Sequence, residues 1–171
     1  LKDYDRFAPL QEVGGMIAWD DAQELVLEAF TDFSPVAGEI IGNFFEKDWI
    51  DAAVRPGKML GAFCATLIPE VHPYVLMNYA GEPRSVLTLA HELGHGLHGS
   101  LAQDLGLLNA RTPLTLAETA SVFGEALTFK VLAETETDPR RKLDLLTGRM
   151  EDAIATVFRQ IAMNRFEDAV H

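Results

Sequence analysis

The sequence is poor in cysteine, in basic side chains and in long apolar runs. Cys64 is the only cysteine among 171 residues, which excludes an internal disulfide framework and suits a reducing compartment. Acidic side chains number 26 against 14 basic ones, and the resulting net charge of −12 argues against nucleic acid or an anionic membrane surface as a partner. The longest apolar run, residues 59–68, is too short to cross a bilayer, and no signal peptide is present. We therefore expect a cytoplasmic protein that binds neither nucleic acid nor membrane.

The remaining composition is that of an ordinary globular protein. Apolar residues make up 48% of the chain and charged residues 23%, and 171 residues suffice for one compact core. The sequence begins at Leu1 rather than methionine, and an apolar helical pattern runs to His171 without a stop signal. We therefore expect residues 1–171 to be a single segment of a longer chain.

Hydrophobic periodicity predicts a mainly α-helical fold with a small antiparallel β-sheet. Two apolar runs bounded by proline and glycine, residues 61–68 and 74–80, are typical of strands. Asp138 and Pro139 form a helix start, after which apolar residues recur at helical spacing for about thirty residues. The predicted helices span residues 20–33, 35–51, 85–103, 115–134 and 138 onward.

Three of the five histidines lie within eight residues, and two of them form the pattern His91-Glu92-Leu93-Gly94-His95. Four residues make just over one helical turn, so His91 and His95 project from one face and can reach one metal ion. Imidazole nitrogen is a good ligand for zinc. Glu92 lies about 100° around the helix and can face a water on the open side of the metal. The spacing predicts a single Zn²⁺ site in which Glu92 is the catalytic base.

A third ligand must come from elsewhere in the chain. The extended metallopeptidase pattern would need glycine at position 98 and histidine at 101, but these are His98 and Leu101. Glu118 on the following helix is the better candidate. Two opposite apolar stripes predict that this helix is buried on two sides, which would desolvate Glu118 and Glu125. A metal would compensate one carboxylate, and the other would support a ligand histidine; a solvated Glu118 is the alternative.

Two further features of the histidine-rich helix bear on the site. His98 lies one turn beyond His95, but three ligands from one straight helix converge poorly, so we expect His98 to support the ligands or to pack. Glycines at 94, 96 and 99 each cost about 1 kcal/mol relative to alanine within a helix. A helix tolerates that cost where another element must approach its backbone closely.

These motifs resemble the M3 family of zinc metallopeptidases, in particular its oligoendopeptidase F branch. The resemblance is carried by residues 91–98 (HELGHGLH) and 116–125 (LAETASVFGE). It extends over nearly the whole chain, through residues 4–10 (YDRFAPL), 57–64 (GKMLGAFC), 74–79 (YVLMNY), 158–160 (FRQ) and 166–167 (FE). The resemblance implies an incomplete zincin-like catalytic domain, because the helical N-terminal region and the oxyanion-stabilising C-terminal region of such enzymes have no match here.

The resemblance also implies roles for particular residues. It places zinc on His91, His95 and Glu118 with Glu92 as general base. It implies that the strand through residues 74–79 borders the cleft and pairs with substrate backbone, as an edge strand can. We expect backbone contacts to the substrate at Ala62, Asn78 and Tyr79.

The predicted function is zinc-dependent endopeptidase activity on short oligopeptides. A non-catalytic zinc-binding module, or an inactive fragment derived from such a peptidase, is the main alternative. A different zinc hydrolase with the same ligands is another. Because one wall of the cleft would be missing, we also expect exposed apolar surface and self-association through it.

Overall fold

The computed structural model describes residues 15–171, so the family-like segment at residues 4–10 lies outside the described residues. The described chain divides into two compact units, residues 15–132 and residues 133–171, and each is described by itself. The elements that lie in or begin in the first unit are α1 (Trp19–Phe33), α2 (Pro35–Glu46), β1 (Ile50–Asp51), β2 (Phe63–Ala65), β3 (Tyr74–Leu76), α3 (Pro83–Ala102), a 3-10 turn (Gln103–Leu105) and α4 (Leu114–Thr135). The predicted mainly α class with a small sheet is confirmed.

The sheet is mixed rather than wholly antiparallel. Its strand order is β1-β3-β2, with β1 parallel and β2 antiparallel to β3. The additional strand β1 arises because α2 ends at Glu46, earlier than predicted, and Asp48 adopts a left-handed conformation with φ of 55°. Aspartate tolerates that conformation better than most residues, and the turn redirects the chain into the sheet.

Strand β3 lies in the middle of the sheet, so the prediction that residues 74–79 form an edge strand is wrong. Val75 donates its N–H to the carbonyl of Trp49, and Met77 donates to that of Asp51. Strand β2 pairs with β3 on its other side and is itself the exposed edge. Strands β1 and β2 are thus the two edges of the sheet, and of these β2 lines the cleft described below.

The core of the first unit lies among α1, α2, α3 and β3. Helix α2 begins where sequence predicts, because Ser34 caps the N–H of Ala37 and Pro35 occupies the first helical position. One face of each helix supplies large apolar side chains. The largest fully buried ones are Phe30, Phe44, Ile41, Met77, Leu89, Leu93, Val26 and Val86.

Helices α3 and α4 approach each other through glycines. A Cβ on Gly94 would lie 2.4 Å from the carbonyl oxygen of Ala120, and one on Gly124 would lie 2.6 Å from that of Ala90. The expectation that the glycines of α3 permit close approach is met at Gly96 and Gly99 as well, where a Cβ would collide with Phe44 and Thr66. Backbone therefore packs on backbone between these two helices.

This packing overturns the predicted burial of α4. The predicted stripes include Leu116 and Phe123, which are exposed. The face that is buried carries mostly small or polar residues, namely Ser121, Gly124, Thr128 and Leu132. Hydrophobic periodicity misses such a face because close helix packing selects residues for small size rather than for apolar character.

The second unit continues from α4 into α5 (Pro139–Ile154), a π-helical turn (Ala155–Arg159) and α6 (Gln160–Val170). Asp138 caps α5 by accepting from the N–H groups of Arg140 and Arg141, as its position before Pro139 predicts. The apolar residues that carry the helical period are exposed: Leu143, Leu146, Met150, Ile154, Val157 and Ile161. Across residues 15–171, no helix combines the length and the hydropathy that a membrane span requires.

The contact at Gly94 predicts a large effect of a single methyl group. We expect Gly94→Ala to lower the free energy of unfolding by about 3 kcal/mol or more, because backbone atoms of Ala120 and Ser121 cannot rotate away from the new Cβ. Gly148→Ala is the matched control, since no atom of residues 15–171 lies within 4 Å of its Cβ position in α5, and it should stabilise by up to about 1 kcal/mol. Thermal and urea unfolding measure both; equal effects would contradict the close packing.

Candidate metal centre

Helix α3 places two imidazoles on the same face, one turn apart. The ring centroids of His91 and His95 lie 4.9 Å apart with their planes at 80°. Both side chains are partly buried and line a cleft. The i, i+4 spacing thus produces the juxtaposition that the sequence predicts.

Helix α4 brings the carboxylate of Glu118 to these rings. Its Oε2 lies 3.2 Å from His91 Nε2 and 3.5 Å from His95 Nε2. The ligand atoms of His91, His95 and Glu118 all lie within 4.8 Å of one another. The prediction that burial desolvates Glu118 is wrong, however, because its side chain is 61% exposed and faces the open cleft.

Two of the three separations between the donor atoms fit a zinc ion. At metal–ligand distances of about 2.0–2.1 Å and tetrahedral angles, two ligand atoms lie about 3.3 Å apart. The two histidine–glutamate separations bracket that value. Two imidazole nitrogens and one carboxylate oxygen are also ligand types that zinc accepts. No fourth histidine, cysteine or carboxylate joins this group within the described residues, so one coordination position would stay open.

Two side chains of α4 contact the candidate ligands. Glu125 places Oε1 2.5 Å from Nδ1 of His91, which fixes the ring and leaves Nε2 directed at the site. The buried Ser121 hydroxyl donates to Oε2 of Glu118 over 2.6 Å. The support from Glu125 follows the sequence-based expectation, whereas Ser121 was missed. Its i, i+3 spacing from Glu118 was the signal that could have identified it.

Glu92 lies beside the three donor atoms, but its carboxylate is held by a different element, strand β2. It is only 6% exposed, and its carboxylate accepts a hydrogen bond from the backbone N–H of Cys64 in β2. Burial raises the pKa of Glu92, and the nearby charges of Glu118 and Glu125 act in the same direction. A carboxylate with a raised pKa is a better proton acceptor near neutral pH.

The two imidazoles respond differently to the same surroundings. Burial lowers the pKa of His95, which favours the neutral form that binds metals. Burial also acts to lower the pKa of His91, but the hydrogen bond and charge of Glu125 outweigh it, so that the pKa of His91 is raised. Glu125 therefore holds His91 strongly, and a metal ion would replace the proton on the other nitrogen.

The cleft around the centre has a volume of about 520 Å³. Ala62, Cys64, His98 and Arg111 are among the residues that line it. His98 stands away from the donor group, with Nε2 3.5 Å from the hydroxyl of Thr112.

Asn78 and Tyr79 do not line the cleft, although the sequence suggested both as substrate contacts alongside Ala62. Asn78 donates its side-chain amide to the carbonyls of Met59 and Gly61, and Tyr79 donates its hydroxyl to the carbonyl of Ile17. Both side chains are thus engaged within the fold.

Comparison with known proteins gives a consistent result. Residues 22–171 match the family model described as Peptidase family M3. The chain is 28% identical over 172 residues to the Group B oligopeptidase PepB of Streptococcus agalactiae, and 31% identical over 177 residues to an oligoendopeptidase F homolog of Borreliella burgdorferi. Each match covers 100% of this chain but only 28% and 30% of those proteins. The chain therefore spans less than a third of the length of these relatives.

The fold is similar to that of a solved peptidase. The crystal structure of a peptidase from Chlamydophila abortus superposes with a TM-score of 0.83 at 27% sequence identity. The match covers 99% of this chain and 28% of that one.

The environment of Cys64 predicts an unreactive thiol. Burial, with a contribution from the charge of Glu92, raises the pKa of Cys64 to about 12. At pH 8 the thiolate fraction falls about 1000-fold below that of an ordinary cysteine, and the higher nucleophilicity of the remaining thiolate recovers a factor of about 20. We expect alkylation by iodoacetamide to be about 50-fold slower in the folded chain than in urea. Equal rates in both states would contradict this environment.

Proposed function

Because the chain belongs to peptidase family M3, we propose that it carries the metal centre of a zinc-dependent endopeptidase that hydrolyses short oligopeptides. The observation that carries the proposal is the convergence of His91, His95 and Glu118 within 4.8 Å beside the buried Glu92, in a cleft of about 520 Å³. The oligopeptidase names of the relatives support the substrate class.

His91, His95 and Glu118 would hold the ion. When bound, zinc lowers the pKa of a water molecule and polarises the carbonyl of the peptide bond. A purely structural zinc site is usually closed by four protein ligands, and three donors facing a cleft favour a catalytic site instead. Ser121 and Glu125 would orient Glu118 and His91 for this role.

Glu92 would act as the general base. Its carboxylate accepts the proton of the attacking water and later transfers it to the leaving amine, so that one group serves both steps. The hydrogen bond from the N–H of Cys64 restrains the carboxylate, and burial raises the pKa of Glu92 toward the range in which it can both accept and release a proton.

The exposed edge of β2 is where a peptide substrate would lie. An extended peptide can add to a free strand edge through backbone hydrogen bonds. Ala62 and Cys64 line the cleft next to the donor group, which supports the contact suggested for Ala62. Asn78 and Tyr79 would not contribute the suggested backbone contacts, because neither lines the cleft and the N–H of Tyr79 already donates to the carbonyl of Ala52.

The role of Glu92 is tested by Glu92→Gln in the full-length gene product. We expect zinc content to stay at one ion per chain, while kcat/KM for a quenched fluorescent peptide falls about 100- to 10,000-fold because the base is lost. Glu70→Gln, at an exposed loop position, is the control and should leave both quantities unchanged. Undiminished turnover would exclude Glu92 as the base, and zinc binding without turnover in the wild type would favour a non-catalytic zinc module.

Measurements of zinc affinity distinguish the ligand Glu118 from Ser121 and Glu125, which only orient ligands. We expect Glu118→Ala to weaken zinc binding by at least about 1000-fold, because a direct ligand is removed. Ser121→Ala and Glu125→Ala should each weaken it about 10- to 100-fold, because they only orient ligands. Ser100→Ala on α3 is the control for the serine variant. Competition with a chelating dye measures all four; an affinity unaffected by Glu118→Ala would remove this residue from the site.

A further inference from the structure

We propose that Lys58 and Asn78 form a polar clamp that fixes strand β2 at the cleft, and that both are positioning residues for the reaction proposed above. Neither side chain lines the cleft. The loop of residues 52–61 leads from β1 to β2. Lys58 lies within this loop and Asn78 binds it from outside, so both act on the reaction through the strand that follows.

The charged ammonium group of Lys58 is buried. Its side chain is only 5% exposed, and its ammonium group donates to the carbonyls of Asp51, Ala53 and Met77 at 2.9, 2.9 and 2.6 Å. It also contacts Oδ1 of Asp51 at 3.0 Å. These acceptors lie at the ends of β1 and β3 and at the start of the loop. The ammonium group therefore ties three backbone segments together.

Asn78 holds the other end of the same loop. Its amide nitrogen donates to the carbonyls of Met59 and Gly61, at 2.9 and 3.2 Å. Gly57 and Gly61 both adopt positive φ, 80° and 85°, so the loop makes two turns that favour glycine. Such a loop has few conformational restraints of its own, and the side chains at 58 and 78 supply them.

Strand β2 needs an external restraint because it is short and paired on one side only. It spans three residues, Phe63–Ala65, and among the strands of the described residues it pairs with β3 alone. Cys64 in its centre donates the backbone N–H that holds the carboxylate of Glu92. A shift of β2 would therefore move both the restraint on Glu92 and the edge along which a peptide would bind. Displacements of about 1 Å at a catalytic group can lower rates about 100-fold.

The direct alternative is that Lys58 or Asn78 contacts the substrate itself. The geometry opposes it, since the ammonium group of Lys58 already contacts four acceptors and the amide nitrogen of Asn78 two. Loss of a substrate contact would chiefly raise KM. Loss of the clamp would lower kcat, because the placement of Glu92 changes while the metal ligands on α3 and α4 stay in place, and the displaced edge of β2 would raise KM as well.

The test uses Lys58→Met and Asn78→Ala in the full-length gene product. The matched controls are Lys47→Met, an exposed lysine, and Asn43→Ala, whose amide also donates to a backbone carbonyl but within α2. We expect one zinc per chain in all four variants. In the two clamp variants, kcat should fall about 10- to 100-fold, whatever the change in KM. Alkylation of Cys64 should accelerate at least about tenfold in these two variants and in neither control.

Other outcomes would overturn the clamp. Unchanged kcat and unchanged Cys64 alkylation would show that β2 does not depend on it, and a rise in KM alone would indicate direct substrate contact. Hydrogen exchange gives a readout independent of turnover: the amide of Cys64 should exchange faster in Lys58→Met and Asn78→Ala than in the wild type and the two controls, and equal rates would contradict the proposal. This inference rests on the proposed function only for its kinetic part. A wild type without turnover would remove the proposed function, while the alkylation and exchange measurements would still decide on the clamp.

Discussion

The metal centre depends on the distance between helices α3 and α4. His91 and His95 are brought together within one helix, but Glu118 is 23 residues further along the chain and reaches them only because the two helices pack backbone against backbone. Gly94 and Gly124 permit this approach, each facing a carbonyl of the opposite helix at a distance where no Cβ fits. A larger separation would move Oε2 of Glu118 beyond the range in which one ion could bind all three donors.

Features fixed by short stretches of chain could be predicted from the sequence. The helices begin where capping residues and prolines place them, as at Ser34-Pro35 and Asp138-Pro139. The i, i+4 spacing of the two histidines set their shared face without reference to the rest of the fold. The carboxylate of Glu118 does lie next to Nε2 of both rings, although the reason offered for its choice, burial, was wrong.

Features that depend on long-range packing could not be predicted. The strand order left β3 in the centre, because the short strand β1 joined the sheet from a segment that hydrophobic periodicity assigns to a helix. Hydrophobic periodicity did not predict the buried face of α4, because its residues are small rather than apolar. The hydrogen bond between the N–H of Cys64 and Glu92 involves the backbone, so the side chains of β2 could not have predicted it.

Charge explains why this arrangement is suited to a cation. Glu92, Glu118 and Glu125 lie around two imidazoles, and their mutual repulsion contributes to the raised pKa of Glu92. A divalent cation between His91, His95 and Glu118 would reduce that repulsion, and it would do so most for the carboxylates that are least hydrated. Glu125 would then act through His91, while Glu92 would stay ionised without binding the ion itself. The same set of carboxylates that is unfavourable alone would thus supply a ligand, an orienting group and a base around one metal in the function proposed above.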